Sequence, residues 1–253
     1  MIKVSNIDSI HGDFSAFSID NLGNVYLSDN DIITKLSPKL DTLFSTSLKA
    51  HFPTFIQAVK NFRVLTFDKE RGIVQFFDNT LTPLTSDLNL YDLNMVQPIL
   101  VCESFNGNSF WAVDAGTLRL LKINEKFKII TEIENLSFLS NTNDWPTQMF
   151  EHNDLLYLLT KSNYVMVFDA FGTLINKLPI QANWLSIYQN AILQYKFPEF
   201  QFVNRLNLDV EMACKWPMSG IQAFEITSKH LYVLSEKAFY RGMINQSVPA
   251  KNN

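Results

Sequence analysis

Few side chains in this 253-residue chain could do chemistry, and they are scattered. Carboxylates able to hold a divalent cation or move a proton stand at Asp20, Glu103, Glu151 and Glu225, with His152 beside one of them. A hard cation needs several oxygen ligands converging on one point. These carboxylates come from segments far apart in sequence, so only folding could gather them. Glu103 and Glu225 are the weak metal candidates. His11, His51 and His230 are equally dispersed. Asp29-Asn30-Asp31 resembles part of a calcium loop but lacks the glycine and the distal glutamate; Asp and Asn also form turns. No Cys/His or Ser/His/Asp signature is present, and eight glycines leave little room for a phosphate-cradling loop. No cofactor is expected.

The second group is aromatic. Three of the four tryptophans sit in short polar or Pro-containing segments, Asp144-Trp145-Pro146, Asn183-Trp184 and Trp216-Pro217-Met218. His51-Phe52-Pro53 is a fourth such segment. Large rigid rings with a polar handle suit contact with a peptide or a sugar. The same rings could instead wedge between neighbouring elements, with proline fixing the turn, since aromatics mostly pack.

The elements that must position these residues are strands. "FSIDNLGNVYL" (17–27) alternates, breaks at Asn21 to Asn24, and alternates again. That is a hairpin whose glycine and asparagines tolerate positive φ. Related strand–turn–strand segments recur at 63–88, 109–133, 155–180, 191–214 and 230–244, each preceded by one more strand-like segment. The third strands begin near Ile32, Ile73, Leu118, Tyr164, Phe200 and Ala238, spaced 41, 45, 46, 36 and 38 residues apart. A period of ~40–50 residues is that of propeller blades.

The expectation is a single all-β domain over 1–253, a six-bladed β-propeller of four-stranded antiparallel blades. The blades fall near 14–48, 54–90, 97–136, 147–180, 184–214 and 221–244. The last lacks a fourth strand, which the N-terminal segment 2–7 can supply, closing the ring without an unpaired edge there. A β-sandwich is the rival architecture. In a propeller the first strand of each blade lines the channel. The loops entering the first strand and those joining the second to the third share one face. The Trp segments and His51-Phe52 belong to that face, as do Asp68 to Arg71, Asp114, Lys161-Ser162-Asn163, Glu199 and Glu236. Asp20 and His152 fall at the opposite face.

Asp20-Asn-Leu-Gly-Asn-Val-Tyr-Leu27 resembles the first hairpin of NHL-type and related six-bladed propellers. Phe168-Asp169-Ala170-Phe171-Gly172, before the last strand of a blade, looks like the corresponding turn of bacterial propeller proteins. The resemblance implies architecture. Such folds host binding, scaffolding and enzymatic roles alike, and similar bacterial proteins often carry an export signal.

Composition narrows the partners. A net charge of −4 and pI near 5.6 give no general field for nucleic acid. No apolar run reaches the ~20 residues that span a bilayer. The start of the chain does not read as a signal peptide, so the expected location is cytoplasmic, or periplasmic if a leader is missing. Cys102 and Cys214 are expected to be reduced and buried. The function expected is a non-enzymatic module engaging a protein or peptide through the loop face, at Trp145, Trp184, Trp216, His51 and Phe52. The alternatives are a divalent-metal-dependent hydrolase or lactonase using Glu103 and Glu225, and a carbohydrate-binding propeller.

Overall fold

The computed structural model describes residues 2–49, 51–59, 62–104, 107–136, 145–161 and 164–246. Asp144, Ser162, Asn163 and the tail 247–253 lie outside them. By backbone contacts the chain divides into two units, 15–181 and 1–14 with 182–253.

The first unit holds four antiparallel sheets in chain order. They are β2 (Ala16–Ile19), β3 (Val25–Asp29), β4 (Ile32–Leu36), β5 (Thr42–Ser47); β6 (Phe55–Val59), β7 (Arg63–Asp68), β8 (Ile73–Phe77), β9 (Leu88–Asn89); β10 (Pro98–Glu103), β11 (Ser109–Asp114), β12 (Arg119–Asn124), β13 (Ile129–Ile133); and β14 (Pro146–His152), β15 (Leu155–Thr160), β16 (Val165–Phe168), β17 (Leu174–Leu178). The second unit holds β18 (Leu185–Tyr188), β19 (Ala191–Lys196), β20 (Glu199–Asn204) and β21 (Val210–Lys215). Its other sheet is β22 (Ile221–Ile226), β23 (His230–Ser235) and β24 (Ala238–Gln246), completed by β1 (Ile2–His11). Six four-stranded antiparallel blades, the last closed by the N-terminal strand, make this a six-bladed β-propeller.

Two elements differ from the sequence expectation. The closing strand was expected to end at residue 7 but runs to His11, which pairs with Ala238. Its register shifts between Ser5 and Asp8, and Asn6 takes a positive φ of 48°. That bulge changes the phase of alternation, which hides the second half of the strand from a period-two count. His11 is therefore a strand residue. In blade two the fourth strand shrinks to Leu88–Asn89. Pro83 makes only an isolated bridge to Phe77, and the chain continues into a short 3-10 helix, Leu90–Leu93. Proline removes a ladder donor, so the strand cannot extend through that segment.

In the first four blades the turns between third and fourth strands share one device. Ser37, Asp78, Asn124 and Asp169 each accept from the backbone N–H groups two and four residues on, at 2.8–3.2 Å. The residue three on has positive φ: Leu40, Leu81, Phe127 and Gly172. Asp20 repeats the bonds in the opening hairpin, accepting from Leu22 and Asn24. These side chains mimic a backbone turn and fix the hairpin geometry.

Alternate strand residues face the two neighbouring blades, and the core is a series of clusters between blades. Leu65, Phe67 and Val74 of blade two meet Val101, Phe110 and Leu121 of blade three. Trp111, Val113 and Leu120 of blade three meet Met149, Leu158 and Phe168 of blade four. In the other unit Phe200 and Phe202 meet Phe224 and Val233. Cys102 and Cys214 are buried and unbridged. Burial pushes both thiols up, Cys214 to about 11, so neither is a ready nucleophile.

Candidate functional site

In the four-blade unit the loop face presents separate aromatic rings. Phe52 precedes β6 and is 50% exposed, and Trp145, immediately before β14, is 45% exposed. Tyr91 and Tyr164 are comparably open, and Val96 more so. Each is held by its backbone, which leaves the side chain outward. The Phe52 N–H donates to Oδ2 of Asp68 at 3.0 Å, the Trp145 carbonyl accepts from Lys161 and the Tyr164 carbonyl accepts from Thr160. Tyr91 lies over Gly72, where φ is +65° and a Cβ would come within 2.7 Å of the ring. Lys177 Nζ stands 5.7 Å from the Tyr164 ring centroid.

The acidic residues of this face hold the loops. Asp68 and Asp114 end β7 and β11 and are buried. Asp114 accepts from the N–H groups of Val96, Gln97 and Gly116 and from Thr117 Oγ1, and pairs with Arg119 at 3.2 Å. Burial raises its pKa, but these donors outweigh burial and hold the carboxyl below its usual value. His51 is clamped too, with Nε2 3.0 Å from Asp87 and Nδ1 3.8 Å from Asp68. Asp29-Asn30-Asp31 is a turn: Asn30 takes a φ of 51° and Asp31 accepts from Ser47.

The three loop tryptophans do not share a setting. Trp216 is 1% exposed, with edge contacts to Phe200 and Tyr240, so it packs and offers no surface. Its buried indole nitrogen has no hydrogen-bond partner among the described residues. Trp184 is half-buried, and its indole donates to the Phe224 carbonyl at 3.0 Å, tying β18 to β22. Burial places rings at the blade seam where the chain enters a first strand, and the sequence pattern of a loop Trp is the same whether the ring turns in or out. Tyr91, Tyr164 and Val96 were missed by sequence reasoning; only their place in the loops between strands could have flagged them.

Glu103 is buried at the end of β10 and is committed to Arg63, whose Nη2 lies 3.0 Å from its Oε1. Arg63 also donates to the Gly107 carbonyl and, through Nη1, to Glu125 at 3.0 Å. Glu151 accepts from the Trp111 indole at 2.7 Å. Asp20 serves its turn, and His152 ends β14 beside the next turn, as expected. Glu225 is half-buried in β22, in the other unit. Among the described residues no group of three or more His, Cys, Asp or Glu side chains could hold a metal ion. No described helix is long and apolar enough to cross a membrane.

No family model matches the chain, and no curated protein matches its sequence. Solved structures do. The chain is similar to a streptogramin B lyase, with a TM-score of 0.70 and 8% identity over 95% of this chain and 98% of that one. It is similar to the virginiamycin B lyase of Staphylococcus aureus, with a TM-score of 0.67 and 10% identity over 96% and 99% of the two chains. The WD40 domain of Neurospora crassa Pan2 gives 0.64 and 9% identity over 94% and 90%. At such identities the likeness shows the fold alone.

Proposed function

We propose that this propeller is a non-enzymatic binding module that engages a protein or peptide through the loop face of its four-blade unit. The observation that carries the proposal is the set of exposed rings there, Phe52, Tyr91, Trp145 and Tyr164, held outward by bonded backbone while the nearby carboxylates and His51 are tied into the loops. Rings of this kind give large contact area at low entropic cost. The Asp20 hairpin supports an NHL-like origin of the blades. The net charge of −4 supports a protein partner over nucleic acid.

The test is a displayed random-peptide library selected on the whole chain. Selected peptides should lose at least about tenfold in affinity on Trp145→Ala or Phe52→Ala, with the melting temperature nearly unchanged. Peptides that bind both variants as tightly as the parent would remove the loop face from consideration.

A further inference from the structure

Two blade interfaces of the four-blade unit are completed by an internal lysine. Lys35 on β4 is 5% exposed, stands 5.2 Å from the Tyr26 ring centroid and donates to the Asn79 carbonyl at 2.9 Å. Lys122 on β12 is 6% exposed, stands 4.8 Å from the Trp111 centroid and donates to the Ala170 carbonyl at 3.1 Å. Each lysine lies two residues before the turn of its own blade. Each reaches the second residue of the same turn in the next blade. Between blades two and three the equivalent positions are Phe76 and Glu125. Among the described residues no lysine crosses there, and a cavity of about 240 Å³ opens instead.

Phe76, Phe110, Leu84 and Leu88 give the cavity apolar walls, with Glu125 and Arg63 at its polar side. The two phenylalanine rings meet edge-on at 5.9 Å. Arg63 lies 5.3 Å from the Phe76 centroid and is shared by Glu103 and Glu125. The Glu125 side chain is 55% exposed, so solvent reaches it. Lys126 and Lys128 of the same turn are exposed, where water and salt screen them. The space is smaller than the ~300 Å³ at which drug-sized ligand pockets begin, so it suits a single side chain.

We propose that this cleft receives a primary alkylammonium arm, the lysine side chain of a partner polypeptide. The methylenes lie against Phe76, Phe110 and the two leucines, and the ammonium meets Glu125, where the chain's own lysines meet the turn carbonyl in the neighbouring interfaces. The Glu125 carboxylate, at the cavity wall and open to solvent, supplies the charge complement. The site is at the opposite end of the blades from the aromatic loops. It shares with the preceding proposal only the polypeptide nature of the partner.

The experiment is an NMR titration of the whole chain with Nα-acetyl-lysine N-methylamide, its norleucine counterpart, and cadaverine. The lysine compound should shift Phe76, Phe110 and Leu84 resonances saturably, and the norleucine compound should bind at least about tenfold more weakly. Glu125→Gln should weaken lysine binding by about the same factor. Phe76→Lys, which fills the cleft from within, should abolish it. Equal affinity for norleucine, cadaverine binding tighter than the lysine compound, or no saturable shift would each overturn the proposal. Thermal melts establish that both variants are folded.

Discussion

The interface between blades three and four and the one between blades two and three are built from equivalent strands and turns, yet a lysine crosses one and a cavity opens in the other. In the first, Lys122 carries its charge across the seam, over Trp111, to the Ala170 carbonyl. In the second, Phe76 takes the lysine position and the cation comes from Arg63, on the neighbouring strand β7. Arg63 is drawn to Glu103 and Glu125, so its guanidinium does not fill the outer part of the seam. The two-residue β9 removes the outer cover that a full fourth strand would give. A cation set against an aromatic ring is thus a recurring way to join these blades, and the place where it enters decides whether a cavity remains.

Three perturbations break or sharpen that contrast. The largest effect is expected for Arg63→Met. It leaves the buried Glu103 carboxylate without its guanidinium, and losing one partner of a buried pair costs about 3–5 kcal/mol. Arg63 is itself one-fifth exposed, which places this variant at the lower end. Urea unfolding measures it; a loss no greater than that of an exposed ion pair would show that Arg63 does not carry the seam. Lys122→Met comes next. It keeps most of the stem packing but loses the carbonyl bond and the contact with Trp111, together about 2 kcal/mol. Lys35→Met should behave alike, since the setting is alike, and a clear difference between the two would deny that they are equivalent.

The smallest effect concerns the loop that leads from blade two into blade three. Asp114→Asn should cost about 1.5 kcal/mol near neutral pH, because the bonds from the Val96, Gln97 and Gly116 N–H groups, Thr117 and Arg119 lose their charge assistance and the amide NH2 must face one of these donors. The folded carboxyl titrates below its usual value. Its contribution is therefore full above the ordinary carboxylate range and lost as pH falls through the depressed folded value. Unfolding midpoints of parent and variant should converge as pH is lowered below the ordinary carboxylate range. A gap that stays constant with pH would mean that the aspartate acts only by shape.

Much of this was legible in the chain. Period-two alternation, the spacing of third strands and the missing final strand identified six blades and the closing strand, because a strand's pattern is local and each blade repeats it. The turn devices at Asp78, Asn124 and Asp169 are local as well. The internal lysines also left a signal, one charge set among apolar residues at the same place in β4 and β12, two residues before the turn. What failed was anything that depends on phase or facing. The bulge at Asn6 hid half of β1, and Trp145, Trp184 and Trp216 look alike in sequence but are exposed, half-buried and buried.

The sequence by itself determined the all-β class, the number of blades, their turns and the closure by the N-terminal strand, since those follow from side-chain period and hydrogen-bond geometry within about 45 residues. Only the tertiary structure decided that Glu103 belongs to Arg63, 40 residues away, and that Arg63 also reaches Glu125, 62 residues away. It also decided that Trp216 is core and that a cavity lies between Phe76 and Phe110. Such pairings arise when two blades pack face to face, and burial and charge at that seam depend on which side chains arrive from both sides.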